Sequence, residues 1–151
     1  MHGFEDRLIG LAEEVNSGMP DHVIEIVNDA LNRNRKPLNG SKILVLGVAY
    51  KRDIDDVRES PALTIIKKLR EKGSIVAYSD PYVATLTLEE GTTIESVELD
   101  RTVLAYSDAV VIVTDHSSFN YQAIVEQAPL IIDTRNATSK VVGYRDKIIK
   151  L

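Results

Sequence analysis

Apolar residues recur at helical spacing through the first part of the chain. Apolar side chains spaced by three and four residues predict a first helix. They are Phe4, Leu8, Leu11, Ala12 and Val15. Gly18 is predicted to end this helix, and Pro20 to lie in the first turn of a second one, where its missing N–H costs nothing. The apolar face of the second helix is made of Val23, Ile26, Val27, Ala30 and Leu31. Pro37 and Gly40 close it, which completes a helical N-terminal arm.

From residue 42 onward, short apolar runs rich in β-branched residues replace the helical spacing. Buried parallel strands are predicted at 42–48, 74–79, 109–114 and 130–133, and residues 148–151 fit a fifth, short edge strand. Helices are predicted at 61–72, 99–106 and 120–127, while 82–98 fit a loop and a minor strand. This alternation predicts an α/β fold, with a Rossmann-like parallel sheet covered by helices on both faces. We therefore divide the chain into the arm, residues 1–38, and a Rossmann-like domain, residues 39–151.

Composition narrows the class of protein. The chain has 151 residues, 44% of them hydrophobic and 27% charged, which is typical of a soluble globular domain. Its net charge of −5 and the lack of a basic face argue against nucleic-acid binding. No signal peptide or long apolar run is present, so we expect a cytoplasmic protein without a membrane partner. The absence of cysteine excludes thiol chemistry within this chain, which begins inside an amphipathic pattern as a piece of a longer chain would.

Polar loops follow the predicted strands, at the edge where open α/β sheets bind ligands. They span 49–60, 80–83, 115–119 and 134–137. In the first loop, Tyr50 and Lys51 follow the strand, and Ser60 and Pro61 suit the start of the next helix. Charged side chains surround that helix end: Lys51, Arg52, Asp53, Asp55, Asp56, Arg58 and Glu59. Two interpretations remain open. The loop is simply solvated, or it forms an anion site in which Lys51 contacts phosphate as a point charge and Arg58 binds it through two guanidinium N–H groups.

The other strand ends carry weaker signals. The first turn reads G-V-A-Y-K instead of G-x-G-x-x-G, so this is not expected to be the primary NAD-binding half of a dinucleotide fold. Asp80 fits an Asp-Pro-Tyr turn, because it lies farther from Gly47 than the roughly 20 residues usual for a ribose-binding acid. His116, beside Asp115, is interpreted as a capped loop residue and not as a general base. Arg135 fits a phosphate clamp and a solvated charge equally well, and the sequence offers no catalytic set and no metal-spaced histidine pair.

The block GVAYKRDIDDVRESPAL, residues 47–63, resembles the C-terminal domain of the UDP-glucose/GDP-mannose dehydrogenase family. It matches the family motif G-x-[AS]-[FY]-K-x-x-x-x-D-x-R-x-S without a gap. Further agreement comes from YSDPY at 78–82, VTDHSSF at 113–119 and IIDTRN at 131–136, whereas 84–98 match least. The preceding helical segment looks like the end of the family's long central helix. Within this block, the sequence IDDVRESPAL, residues 54–63, is most similar to that of the UDP-N-acetylhexosamine dehydrogenases.

The resemblance implies a role in an oxidation that needs more than this chain. Enzymes of the family oxidise the C6 hydroxymethyl of a nucleotide sugar to a carboxylate, giving a UDP-uronic acid in the UDP-sugar branch. They use two NAD molecules and a cysteine thioester. Their N-terminal domain holds NAD, and their C-terminal domain holds the nucleotide end of the substrate. Since this chain has no cysteine, we expect it to lack the catalytic part and to be inactive alone.

The resemblance also assigns roles to single residues. Tyr50 and Lys51 match the aromatic–lysine pair that contacts the nucleotide sugar, and Arg135 resembles a substrate-binding arginine. Arg58 matches the arginine that reaches NAD in the intact enzyme. Four further positions match the motif and are interpreted as loop-shaping: Asp53, Asp56, Ser60 and Pro61.

The arm and the rest of the chain leave other functions open. The central helix forms the dimer core in the family, so the apolar face from Phe4 to Val15 is expected to pair with a second copy or to fold back. A homodimer is therefore expected for a full-length enzyme. A stand-alone Rossmann-like nucleotide-binding module or a dimerisation module without enzymatic activity would carry the same fold.

Overall fold

The computed structural model describes the backbone of residues 2–151 and the side chains of residues 18–151. Its helices are α1 (His2–Arg33), α2 (Pro61–Glu71), α3 (Arg101–Tyr106) and α4 (Tyr121–Gln127), with a 3-10 turn at Arg145–Lys147. Its strands are β1 (Lys42–Leu46), β2 (Ile75–Ser79), β3 (Thr85–Thr87), β4 (Thr93–Glu95), β5 (Ala109–Ile112), β6 (Ile131–Asp133) and β7 (Ile148–Lys150). No helix in the described part of the chain combines the length and apolar character that a bilayer crossing demands.

Five strands form one parallel sheet in the order β2-β1-β5-β6-β7. The strand order changes direction between β1 and β5. After β1 the chain adds β2 on one side of it, and after β5 it adds β6 and β7 on the other side of the sheet. Such a reversal opens a crevice at the carboxyl ends of the two central strands. The predicted α/β class and the four main strands are confirmed, and the last residues do form the edge strand β7.

The two faces of the sheet carry separate apolar cores. Ile43 and Val45 of β1 pack with α1 and α2, whereas Leu44 and Leu46 pack with α3 and α4. Successive side chains of a strand point to opposite faces, so a strand buried on both sides has to be apolar throughout. This explains why β1 lacks polar alternation, and it confirms the prediction of helices on both faces.

The helical arm differs from the sequence prediction. The structure has one continuous helix, α1, with Gly18 and Pro20 inside it, where two helices were predicted. Pro20 removes a backbone donor and crowds the carbonyl four residues earlier, a cost of about 3 kcal/mol or more in a helix interior. Val23, Val27 and Leu31 are fully buried, and this burial favours continuation of the helix. The predicted apolar face from Phe4 to Val15 lies outside the described side chains, so its pairing stays a prediction, as does the domain division.

Local signals fix the helix that follows the first loop. The Ser60 hydroxyl accepts a hydrogen bond from the Ala62 N–H at 3.2 Å, and Pro61 occupies the first helical position. Gly73 follows the helix end with φ of 89°, a left-handed conformation that suits glycine. The predicted start of this helix is therefore confirmed. The weakly patterned segment at 82–98 contains the antiparallel pair of β3 and β4.

Candidate functional site

The end of β1 lies against the end of β5. Gly47 follows β1 with φ of 80°, and a Cβ atom there would lie 2.8 Å from the Thr114 Cα and closer still to the Thr114 carbonyl oxygen. Real Cβ atoms do not approach backbone so closely, so this position requires glycine on steric grounds as well as for its φ. The loop after β1 therefore starts inside the crevice where the strand order reverses.

The loop from 47 to 60 is folded back on itself at this edge. The Tyr50 N–H donates to the Asp56 carbonyl at 2.7 Å, which joins its two arms. The carbonyl of Ala49 accepts from the Thr114 hydroxyl at 2.6 Å and from the Ser60 hydroxyl at 3.4 Å. These bonds tie the turn to β5 and to the start of α2. The turn that carries Tyr50 and Lys51 is thus held by backbone contacts on several sides.

Tyr50 and Lys51 project from this turn as a pair. The Tyr50 side chain is 42% exposed, and the Lys51 ammonium lies 5.6 Å from the centroid of its ring. A cation near an aromatic ring gains modest attraction and keeps its charge. The pair therefore presents an aromatic surface and a positive charge to solvent at the carboxyl edge.

Arg58 lies on the second arm of the same loop. Its Nε and Nη2 atoms donate to the two carboxylate oxygens of Asp56 at 3.0 and 2.8 Å, and its side chain is 87% exposed. Hydrogen bonds from Arg58 lower the pKa of Asp56 to about 2. The guanidinium is therefore held in a defined direction while remaining open to a ligand.

Asp80 is a buried junction at the end of β2. Its Oδ1 atom accepts from the Tyr82 N–H at 2.8 Å, which agrees with the predicted Asp-Pro-Tyr turn. Its Oδ2 atom also accepts from the N–H groups of Val48 and Ala49, at 2.8 and 3.3 Å. The Asp80 side chain has no exposed surface, so its carboxylate faces the protein and shapes the first residues of the loop after β1.

His116 is fully buried between these loops. Its Nδ1 atom accepts from the Asp53 N–H at 2.9 Å, so the ring proton lies on Nε2, which donates to Asp80 Oδ2 at 2.8 Å. The ring lies 4.9 Å from that of Tyr82 and 5.8 Å from that of Phe119. Both nitrogens are therefore committed to protein partners, which agrees with the loop interpretation of His116 and disfavours a general base.

A second layer of contacts, which the sequence did not reveal, joins the loops after β1 and β5. The Asp53 carboxylate accepts from the Ser117 N–H and hydroxyl at 2.8 and 2.6 Å, and these bonds hold the pKa of Asp53 below its usual value. Arg52 forms an ion pair with Asp115. Asp53 and Ser117 are 64 residues apart, so no local pattern could have paired them.

Arg135 lies on the loop after β6 and reaches back toward the centre of the sheet. Its Nε atom donates to the Val113 carbonyl at 2.9 Å, and its N–H donates to Asp133 at 3.0 Å. Asp133 is nearly fully buried and also accepts from the N–H and hydroxyl of Thr138, at 2.9 and 2.6 Å. Anchoring through Nε directs the guanidinium toward the end of β5, the neighbour of β1.

A cleft of about 440 Å³ opens between the loops after β5 and β6. Its wall includes Arg52, Asp115, Tyr121, Asn136 and Lys140. Burial raises the pKa of the Tyr121 phenol, whose hydroxyl donates to the His116 carbonyl at 2.8 Å. Arg52 and Asn136 are the chain neighbours of Lys51 and Arg135, but the predicted substrate-binding residues do not themselves line this cleft.

The structure thus brings the predicted site residues to one edge. Tyr50, Lys51 and Arg58 share the loop after β1, and Arg135 comes from β6, with β5 between them. Strands are spaced by about 4.8 Å, so the two loops start roughly 10 Å apart. Among the side chains that the structure describes, no group of three histidine, cysteine or acidic residues could hold a metal ion.

Known proteins share both the sequence and the fold. A model of the UDP-glucose/GDP-mannose dehydrogenase family, UDP binding domain, matches residues 44–140. The chain is 37% identical over 135 residues to the UDP-N-acetyl-D-mannosamine dehydrogenase of Pyrococcus horikoshii, covering 85% of this chain and 30% of that protein. It is 30% identical over 146 residues to the UDP-glucose 6-dehydrogenase AglM of Haloferax volcanii, with coverages of 93% and 32%.

A solved structure gives the same result. The NDP-N-acetyl-D-galactosaminuronic acid dehydrogenase of Methanosarcina mazei superposes with a TM-score of 0.75 at 29% identity, over 93% of this chain and 30% of that one. The chain therefore spans about a third of the length of the relatives it matches. Because the family model covers most of the sheet and all four ligand-edge loops, the chain belongs to the UDP-glucose/GDP-mannose dehydrogenase family and corresponds to its UDP-binding domain.

Proposed function

We propose that this chain binds the nucleotide end of a UDP-sugar for an NAD-dependent nucleotide-sugar 6-dehydrogenase. In this proposal Tyr50, Lys51 and Arg135 contact the substrate, and the oxidation of the C6 hydroxymethyl to a carboxylate takes place on residues outside this chain. The product of the whole enzyme is a UDP-uronic acid. The described chain supplies position and positive charge, which a diphosphate requires, and no cysteine for a thioester.

One observation carries the proposal: the ammonium of Lys51 projects from a rigidly held turn at the point where the strand order reverses. A diphosphate is bound best by cations that are already in place, because little ordering is then needed on binding. The Tyr50 ring beside the ammonium offers an apolar surface to a base or sugar. Arg135, anchored through its Nε, adds a second cation from the other side of β5.

Arg58 is proposed to face NAD. NAD accepts hydride when bound, and the loop after β1 lacks the G-x-G-x-x-G glycines by which a dinucleotide-binding fold brings its backbone against NAD. Arg58 fits a rim position, because its guanidinium is highly exposed and its direction is fixed by Asp56. It would meet a cofactor phosphate or ribose presented by another domain, so NAD is bound mainly outside this chain.

The proposed substrate is a UDP-N-acetylhexosamine. The sequence of the motif favours this class, and three relatives are named UDP-N-acetyl-D-mannosamine dehydrogenase at 37%, 32% and 30% identity, beside three named UDP-glucose 6-dehydrogenase at 34%, 32% and 30%. A homodimer is proposed for the full-length enzyme, in line with its central helix. The choice of sugar is separable from nucleotide binding, because this chain contacts the nucleotide end.

The test is a calorimetric titration with UDP of the unaltered chain and of Lys51→Ala. We expect the substitution to weaken UDP binding at least tenfold, since a hydrogen bond to a charged group contributes about 1.5–3 kcal/mol and tenfold corresponds to about 1.4 kcal/mol. Lys72→Ala is the matched control, because Lys72 is the C-cap of α2 at the opposite edge of the sheet. It should leave the affinity unchanged.

A different outcome selects another function. A dimerisation module without a nucleotide site would show no heat with UDP even at millimolar concentration, in the unaltered chain and in both variants. A stand-alone module that binds a different anion would respond to inorganic diphosphate and to UDP alike, without preference for the nucleoside.

A further inference from the structure

The pair of His116 and Asp80 contacts both ends of the turn that carries Tyr50 and Lys51. Asp80 accepts from the N–H groups of Val48 and Ala49, which enter the turn. His116 Nδ1 accepts from the Asp53 N–H, which leaves it, at 2.9 Å. The 2.8 Å bond between His116 Nε2 and Asp80 Oδ2 joins the two contacts into one clamp.

The exit of the turn needs such a contact. Asp53 has φ of 62°, a left-handed conformation that is costly for a residue with a Cβ atom. Its carboxylate is bound by Ser117, and its N–H by His116, so the β5 loop supplies both supports. Without the ring nitrogen, the Asp53 N–H would be left without its partner in a part-buried position.

The hydrogen bonds of His116 to Asp53 and Asp80 account for its burial, and a contact with a ligand is not needed to explain it. The ring has no exposed surface, and both nitrogens face protein groups. A histidine that served packing alone would be replaceable by an apolar side chain of similar size. Here such a replacement would leave a buried carboxylate and a backbone donor without their common partner, and burial of an unpaired charge is costly.

We propose that His116 is a positioning residue for diphosphate binding: with Asp80 it holds the turn from 48 to 53 in the shape that places Tyr50 and Lys51 against the ligand. The inference rests on the proposed function, since it concerns the same site. It adds that the affinity of the site for a diphosphate depends on a side chain that never touches the ligand.

Two amide substitutions separate the two halves of the clamp. In His116→Asn, the side-chain oxygen can take the place of Nδ1 and accept from Asp53, while the donor to Asp80 is lost. In His116→Gln, the amide nitrogen can take the place of Nε2 and donate to Asp80, while the acceptor for Asp53 is lost. Both variants are titrated with UDP and with UMP, and their melting temperatures are recorded.

We expect His116→Gln to bind UDP at least tenfold more weakly, with a smaller change for UMP, and His116→Asn to stay within about threefold of the unaltered chain. Ile66→Val is the control for stability, because Ile66 is a buried residue of α2 in the core. It should lower the melting temperature without changing UDP affinity. Equal UDP affinity in His116→Gln and in the unaltered chain would overturn the positioning role, as would equal losses for UDP and UMP.

A measurement on the unaltered chain keeps the inference testable if a variant does not fold. Nitrogen-15 NMR of the His116 ring is expected to show a protonated Nε2 and a bare Nδ1, both before and after UDP is added. A proton on Nδ1 would contradict the bond from Asp53 and end the proposal. Failure of the unaltered chain to bind UDP would instead remove the proposed function, so the two failures are distinct.

Discussion

Gly47 decides whether the loop after β1 can take its observed shape. Its left-handed φ is a cost for any other residue, and the space for a side chain is filled by Thr114. Gly91 has a similar φ of 89° with nothing within 4 Å of a Cβ atom. The two glycines therefore separate the conformational cost from the steric one.

For Gly47→Ala we expect the free energy of unfolding to fall by about 3 kcal/mol or more, because backbone strain of about 1–3 kcal/mol adds to a clash with Thr114. For Gly91→Ala we expect about 1 kcal/mol from strain alone. Urea denaturation of both variants provides the comparison. Equal losses of unfolding free energy in the two variants would show that the contact between Gly47 and Thr114 does not exclude a methyl group.

The short turn after β6 depends on one carboxylate. Asp133 accepts from the backbone of Arg135, Ala137 and Thr138, and from the Thr138 hydroxyl at 2.6 Å. Burial opposes ionisation of Asp133, but the bonds from Thr138, Ala137 and Arg135 more than offset it and hold the pKa below the usual value. The turn that presents Arg135 is therefore most stable when Asp133 is ionised.

Asp133→Asn is expected to lower the free energy of unfolding by about 1–3 kcal/mol at neutral pH, because an amide cannot accept all of these bonds. A pKa that is lower in the folded state stabilises the protein above the unfolded pKa of about 3.9, and this contribution is lost as the pH falls through the folded value. The difference between the unaltered chain and Asp133→Asn should therefore shrink below about pH 4. Asp29→Asn, at an exposed position of α1, is the control and should change the free energy of unfolding at neutral pH by less than about 0.5 kcal/mol.

The elements that sequence patterns predicted are those whose information is local. The inner strands β1, β5 and β6 were found because they are buried on both faces, and α2 because Ser60, Pro61 and Gly73 mark its ends. The continuity of α1 through Pro20 was missed, since the local stop signal was outweighed by burial of the following residues.

The site was predictable only in part, for a related reason. The charged residues of the loop after β1 lie close together in the sequence, so Lys51 and Arg58 could be predicted as candidate site residues. The clamp could not be found, because His116 lies 36 residues from Asp80 and 63 from Asp53, and only the sheet order brings them together. Loops at the same edge of a parallel sheet meet whatever their distance in sequence.

Considered as one molecule, the chain corresponds to the UDP-binding domain of its family, and on our proposal the oxidation takes place on residues outside it. It spans about a third of its relatives and contains no cysteine. We expect the chain alone, incubated with NAD and a panel of UDP- and GDP-sugars, to produce no NADH. Formation of NADH above a control without protein would contradict the proposed division of labour and would require a reaction that does not use a thiol.

The fork between Arg58 and Asp56 has a consequence for how an outside anion is received. Asp56 engages Nε and one N–H of Nη2, so the N–H groups on the outer edge of the guanidinium stay open to an arriving phosphate, which does not have to displace Asp56. Dissolved salt weakens both the ion pair between Arg58 and Asp56 and the attraction of an outside anion to Arg58, because exposed charges are screened alike. We therefore expect the attraction of an outside anion to Arg58 to fade as salt rises, as we do for Lys51.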